Sequence, residues 1–442
     1  MFRKLLFALS VSTALCAPLC AQAETLSDSV TQALASHPQM KAGAASLSAA
    51  GQNVREQKSG YYPVLGIDGT AGRIDNNDDT TRANTASHGN AVSWMGQGTI
   101  SITQPIFSGF SVVNRVQSAE DRYDAATYDL TGTAEDVALR AARAHLNLMR
   151  TRDLLDLASQ YLTDIETRQK NIALMVKEGA ADAAELLQAD EIQAAAKNTR
   201  LGYEESFRQA EADYIEVVGE KPAAKLEFGE TSWNALIPAT LDDAVVYAST
   251  KNAHILSAGS TVAALDRETN AEKSSLLPHV DAEMSYTKKD QLDVVGGELA
   301  SGQILLKMGW NFSIGGGQFA RIDKLQQQEL EAYAKRQSLM RTVEHDVRQK
   351  YTSMEIVDQQ LALLIEREQA SEKILKNFLA QFEGGKQTNL QLIGAHSKLF
   401  EARAARTDAH YRQLLSRFEL LNVTGQLRGA FENAKPAEKQ KG

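Results

Sequence analysis

No proline occurs between Pro105 and Pro222, nor between Pro278 and Pro436, in a chain of 442 residues. Proline removes a backbone donor and clashes with the preceding turn, so its absence permits long uninterrupted helices. Both spans are dense in Ala, Leu, Glu, Gln, Lys and Arg, the strong helix formers. The pattern predicts nearly unbroken helix over about 110–178 and again over about 317–384. At 1.5 Å per residue, about 70 residues make a rod of roughly 100 Å. That exceeds ordinary globular helices and points to a coiled coil or a helical tube.

The two spans belong to a tandem repeat. "TLSDSVTQAL" (25–34) resembles "TLDDAVVYAS" (240–249), and the same offset of 215 carries Pro63 onto Pro278. Farther on the offset is 206. Arg115 then meets Arg321, Val137 meets Val343, Gly179 meets Gly385 and Gly219 meets Gly425. The length difference falls within about 74–98 and its counterpart, which marks a loop, where insertions are tolerated. The halves are 24–238 and 239–428, followed by a flexible charged tail, 429–442.

Each long span ends in one string: Gly, five residues, Glu or Gln, Leu, Leu or Ile, any residue, Ala. The copies are "GAADAAELLQA" (179–189) and "GKQTNLQLIGA" (385–395). Glycine adopts the left-handed backbone at little cost, so Gly179 and Gly385 read as helix ends. A second helix follows the first string, from about Ala183 to Val218, for roughly 50 Å.

Ahead of each long span the period changes from 3.6 to 2. In 92–106, Trp94, Gly96, Gly98, Ile100 and Ile102 alternate with Ser93, Gln97, Thr99, Ser101 and Thr103. In 302–314, Ile304, Leu306, Met308, Trp310, Phe312 and Ile314 oppose Lys307, Asn311 and Ser313. The stretches 63–72 and 278–287 alternate likewise, completing two hairpins at about 61–107 and 277–314. Each strand has one apolar and one polar face. That suits an antiparallel sheet on a soluble core, and equally a membrane barrel with lipid outside and water within. Four strands cannot close a barrel, and open edges are not tolerated in lipid, so a membrane sheet requires oligomerisation.

Arg3 and Lys4, the apolar run "LLFALSVSTALCAPL" and "AQA" at 21–23 form a secretory signal peptide with cleavage after Ala23. A membrane anchor is the alternative, but the run is short and Pro18 interrupts it. Both cysteines, Cys16 and Cys20, lie in this leader, and neither follows a lipoprotein-type triplet. The mature chain therefore has no disulfide, catalytic thiol or Cys–metal site. Losing Arg3 and Lys4 takes the net charge from −9 to −11, which argues against nucleic acid as a partner.

Motifs for chemistry fail on inspection. "DNNDD" (75–79) has Thr80 and Ala86 where a calcium loop needs Gly and Glu. "IGGGQ" (314–318) lacks the remaining glycine and the ribose-binding acid of a nucleotide site and reads as a strand-to-helix joint, with Gly109 at the matching joint. His345 has no second histidine at metal spacing, and His145 is placed at a helix seam or in solvent. No cofactor, metal site or catalytic residue is assigned, and the chain reads as a non-enzyme.

"TLSDSVTQALASHPQM" (25–40), "SGYYPVLGIDG" (59–69), "ITQPIFSGF" (102–110) and the two glycine strings, in duplicated order, resemble the TolC family of outer-membrane efflux and secretion ducts over about 25–428. The resemblance implies a mainly α fold with a β-barrel part. Tandem long helical hairpins and four transmembrane strands per chain would close, in a homotrimer, a twelve-stranded barrel over a periplasmic helical tube. It implies a passive conduit, opened by a periplasmic adaptor and an inner-membrane ABC or RND pump. The adaptor-docking turns fall on Gly179, Ala180, Ala181, Asp182, Gly385, Lys386, Gln387 and Thr388. The pore entrance falls on Glu185, Gln188, Gln391 and Gly394. The family's acidic pair is here the neutral Gln391 and Gly394, while Glu185 keeps an acid in the first repeat. Trp94, Ile100, Ile102, Leu306, Met308 and Trp310 would face lipid. The "IFSGF" junction and the lack of a lipidated cysteine lean toward type I protein secretion. Small-molecule efflux is the alternative cargo, and a periplasmic coiled-coil scaffold the alternative of another class.

Overall fold

A computed structural model describes residues 23–76, 79, 91–229, 233–291 and 298–432. The leader through residue 22, Asn77 and Asp78 of the "DNNDD" stretch, and the tail from 433 lie outside the described residues.

Each repeat runs two short helices, a hairpin, a very long helix and a return helix. In the first repeat these are α1 (Leu26–Ser36), α2 (Pro38–Lys58), β2 (Val64–Asn76), β3 (Ala91–Phe107), α3 (Ser111–Lys177) and α4 (Ala183–Val218). In the second they are α5 (Leu241–Lys251), α6 (Ala253–Lys273), β5 (His279–Gln291), β6 (Glu298–Gly309), α7 (Gly317–Glu383) and α8 (Asn389–Val423). A two-residue strand β1 (Glu24–Thr25) pairs in parallel with β4 (Leu226–Glu227). A short helix α9 (Leu427–Glu432) closes the described chain. Its Ala430 and Phe431 are buried in the core, so the packed part of the chain runs beyond residue 428, where the tail was placed.

The caps explain where helices begin. Thr25 and Thr240 accept from the backbone of Asp28 and Asp243, three residues on, and start the two matching helices α1 and α5. Both long helices contain 67 residues, roughly 100 Å of rod. The helix α3 is the axis of the molecule. The helices α2 and α6 flank its first half, and α4 and α8 flank its second half. The helix α7 packs chiefly on second-repeat helices: α5, α6 and α8.

The main core lies at mid-length. There the "VALRAARAH" face of α3 (Val137, Ala138, Ala141, Ala142) meets Leu26 and Val30 of α1, Tyr214 of α4, Phe418 of α8, Trp233 and Phe431. Small alanines let the helices approach closely, while the large partners supply the buried area, each worth about 1.5–3 kcal/mol. A second cluster near the far end joins Ile165 and Ile172 of α3 to Ala189 of α4 and Ile393 of α8.

The strand-to-helix joints are left-handed. Gly109 (φ 62) and Phe110 (φ 70) take this backbone in the first repeat, and Gly316 (φ 72), the counterpart of Phe110, takes it in the second. A Cβ on Gly109 would lie 2.8 Å from the Ser274 carbonyl oxygen and 3.0 Å from the Leu277 Cβ. Gly109→Ala is expected to lower stability by at least about 1 kcal/mol, while Phe110→Gly relieves the backbone; thermal melting of both variants checks this. A loss of stability in neither would contradict the joint's geometry.

Candidate functional site

The four long strands form one antiparallel sheet in the order β2–β3–β5–β6, so the two hairpins join through the β3–β5 pair. The register aligns one face across all four strands. Leu65 and Ile67 oppose Ile102 and Ile100, which oppose Met284 and Tyr286. Met284 in turn opposes Ile304, and Ala282 opposes Leu306. These side chains are bare: Ile67 is 74% exposed, Ile304 78% and Leu306 72%. Trp94, Ile100, Ile102 and Met308 are exposed on the same face. A contiguous apolar surface of this kind needs a cover, and none of the helices supplies it.

The other face is polar and tied together. Thr99 and Thr287 share a 3.1 Å hydrogen bond, Gln303 donates to Ser285 at 3.1 Å, and Lys307 meets Glu283 at 2.6 Å. Among the described residues the outer edges of β2 and β6 have no strand partner. A register shift between Pro105 and Phe107 accommodates the proline, which cannot donate to the ladder.

One expectation needs correction. Trp310, Phe312 and Ile314 do not continue the strand, because β6 ends at Gly309. Gly309 faces His279 so closely that a Cβ would lie 2.4 Å from the ring. The chain then leaves the ladder. Trp310 sits beyond the strand end, exposed, and its indole N–H donates to the Leu276 carbonyl at 3.1 Å. Phe312 packs beside it with tilted rings, their centroids 4.9 Å apart. Tyr61, Tyr62, Phe107 and Phe110 are exposed in the matching segment of the first repeat. This gives an aromatic fringe where the sheet meets the helices, the place such rings favour at a membrane–water boundary.

At the far end, α3 and α7 stop in the same way. The amide of Ala180 donates to the Met175 carbonyl at 2.7 Å and that of Gly179 to Val176 at 3.1 Å. Lys386 donates to Gln381 at 2.9 Å and Gly385 to Phe382 at 2.9 Å. Both are Schellman ends, with Gly179 at φ 74 and Gly385 at φ 69. The return helices restart at once. Asp182 accepts from the Ala184 amide at 3.2 Å, and Thr388 and Gln391 form a capping box. A Cβ on either glycine would meet nothing within 4 Å, so both turns are open to solvent. Ala180, Asp182, Lys386 and Thr388 are exposed, and Ala181 and Gln387 are half-buried.

The four residues expected at the pore entrance lie in the first two turns of α4 and α8. Glu185 is half-buried, while Gln188, Gln391 and Gly394 are exposed. Gln391 uses its side-chain oxygen to accept the Thr388 amide at 2.9 Å, so its neutral amide serves the cap. The repeats differ here. Ile393 is fully buried, while its counterpart Leu187 is 70% exposed.

The mid-length core holds titratable groups, of which the sequence placed His145 at a seam or in solvent and passed over Glu135, Asp136 and His254. His145 lies in the seam between helices, where its Nδ1 meets the Ser29 hydroxyl at 2.8 Å and its Nε2 meets the Glu227 carbonyl at 3.2 Å. Burial pushes its pKa down to about 4. Glu135 accepts the Arg428 amide at 3.2 Å at the start of α9, and burial pushes its carboxyl up to about 7. Next to it, Asp136 faces His254 of α6 at 3.6 Å, which holds the Asp136 carboxyl below its usual range and raises His254. An isolated glycine in a helix was the available signal. A Cβ on Gly132 would lie 2.7 Å from the His254 ring.

The two strong shifts oppose each other. Between pH 6.5 and 4 the unfolded chain binds a proton at His145 that the folded chain refuses, so stability falls as pH drops. Between pH 4.5 and 7 folded Glu135 keeps a proton that the unfolded chain has lost, so stability falls as pH rises. Each contributes about 3 kcal/mol over its window, and they offset where the windows overlap. Glu135→Gln should therefore make the melting temperature fall more steeply than that of the natural protein as pH drops from 6.5 to 4.5. Parallel pH profiles for the two proteins would refute the assignment.

Comparison with known proteins agrees with this arrangement. The sequence pattern of the outer membrane efflux protein family matches residues 30–220 and again 246–426, one match per repeat. A protein of Brucella suis biovar 1 (strain 1330), described as outer membrane efflux protein BepC, is 22% identical over 414 residues, covering 92% of this chain and 86% of that protein. The CmeC outer membrane channel of Campylobacter jejuni superposes with a TM-score of 0.79 at 13% identity, over 94% of this chain and 90% of that one. The outer membrane protein VceC of Vibrio cholerae gives 0.76 at 17% identity, over 90% and 96%. With both halves matched to one pattern and the whole architecture shared, the chain belongs to the outer membrane efflux protein family, outer-membrane channels rather than enzymes.

Proposed function

We propose that three copies of this chain close a twelve-stranded barrel in outer-membrane lipid and form the exit duct of a tripartite export system. The observation that carries this is the open four-stranded sheet, with one apolar face bare and both edges unpaired, at the head of two 67-residue helices. Backbone edges cannot face hydrocarbon, and closure on further copies satisfies them. The helix α7 supports the same reading. Leu330, Tyr333, Ile356, Leu363 and Ile374 are exposed along it, with no element of the chain over them. In this duct the repeats 24–238 and 239–428 each supply two strands and one helical hairpin. The turns at Gly179–Asp182 and Gly385–Thr388 dock a periplasmic adaptor, and Glu185, Gln188, Gln391 and Gly394 border the entrance. An inner-membrane ABC or RND pump supplies the energy.

The cargo we propose is protein, by type I secretion, supported by the "IFSGF" joint and by the lack of a lipidated cysteine. Small-molecule efflux is the second reading, favoured by the name of the Brucella relative. A deletion strain separates them. Loss of a secreted protein from the medium, with unchanged susceptibility to toxic compounds, is the outcome expected; the reverse pattern selects efflux. Release of the chain from membranes by a salt wash without detergent would end the duct reading itself and leave a periplasmic scaffold.

A further inference from the structure

We propose that a cavity at mid-length of the helical tube binds an amphipathic organic anion. The cavity, of about 510 Å³, lies where α4 and α8 diverge over α3. It borders the main core, since Ala144, Leu146, Val217 and Tyr411 belong to that core and also line the cavity. Val137, Ala138, Ala141 and Ala142 face that core, whereas Arg140, Arg143 and Arg150 line the cavity.

Four guanidinium groups line it, the fourth being Arg412 of α8, against two carboxylates, Asp213 and Glu216 of α4. Three of the arginines are already gripped: Arg140 by Glu216 at 3.1 Å, Arg143 by Glu419 at 2.8 Å and Arg150 by Asp408 at 2.7 Å. Arg412 is exposed, and its side chain makes no ion pair or hydrogen bond among the described residues. A guanidinium carries five N–H donors in a planar fork suited to carboxylate or sulfonate oxygens. Ala144, Leu146, Val217 and Leu415 supply apolar wall beside it. The site thus offers one free fork and an apolar bed, which selects a ligand with an anionic head and a rigid apolar body. Asp213, on the opposite wall, also has no ion partner among the described residues and keeps the anion to the α8 side. The inference goes beyond the duct reading and holds for either cargo.

The test uses the purified full chain in lipid nanodiscs, titrated calorimetrically with 2-naphthalenesulfonate. Saturable binding at one site per chain is expected, weakened at least tenfold in both Arg412→Ala and Arg412→Gln and partly retained in Arg412→Lys. Because Arg412 is exposed and unpaired, these variants should keep the oligomeric state and melting temperature of the natural protein. Absence of saturable binding, equal affinity in Arg412→Ala, or saturable binding of tetraphenylphosphonium in place of the sulfonate would each overturn the proposal. Export is not the readout, so a failed duct reading and a failed site remain distinguishable.

Discussion

Replacing Leu306 with lysine should leave the protein outside the membrane. Leu306 is the ninth of the twelve residues of β6, is 72% exposed, and opposes Ala282 on the apolar face. A lysine facing hydrocarbon costs about 2–4 kcal/mol near the bilayer midplane. In a closed trimer the cost is met three times. Ile100→Lys on β3 should act alike, since Ile100 lies on the same face through its pairing with Ile67 and Tyr286. Thr99→Lys is the control. Thr99 is the neighbouring residue, but it points to the polar face, where it bonds Thr287. Heat-resistant trimer in the detergent-extracted outer-membrane fraction is the measurement. Strong loss in Leu306→Lys and Ile100→Lys, with near-natural levels in Thr99→Lys, is the outcome expected. Equal levels in all three would mean that the apolar face does not meet lipid.

Tryptophan at Gly179 and Gly385 together should abolish export while leaving trimer and membrane insertion intact. The backbone cost is bounded. A left-handed conformation costs an L-residue roughly 1–2 kcal/mol, which a domain stable by about 5–15 kcal/mol survives. The first side-chain atom is accommodated freely, since a Cβ at either glycine meets nothing within 4 Å. The added rings therefore project where an adaptor would sit. Export is expected to fall at least tenfold, with the trimer band unchanged. Loss of the trimer would make these glycines folding residues instead, and normal export would place the docking surface elsewhere.

Much of this fold was legible because its two periods are long and clean. The return helix read as about Ala183–Val218 spans those residues, and the long helices differ from expectation by one residue at an end. Proline gaps and glycine ends are local signals, and local signals survive in sequence. The strand faces were legible too, since alternation assigns every side chain once the register is set. Trp310 was misplaced because apolar alternation continues through Phe312 and Ile314, while the ladder ends at the Gly309–His279 pair. The roles of Glu135, His145 and His254 were not legible at all. Their shifts depend on partners far away in sequence, at Arg428, Ser29 and Asp136, which no periodicity encodes. The environment of the tip was half legible. The shared string predicted equivalent turns, but Leu187 and Ile393 are equivalent by position and opposite in burial.

The two 67-residue helices arose as copies, yet α3 buries 20 residues within its own chain and α7 buries 8. Two rods of equal length with such unequal support do not form on the same schedule. A lone protomer covers α3 far more than α7, so α7 is the helix expected to exchange its amide hydrogens first and to be cut first by proteases. In the proposed trimer each α7 finds its missing support on the next copy. Assembly then becomes the last stage of folding rather than an event after it, and the newly exported single chain is the most perishable form of this protein.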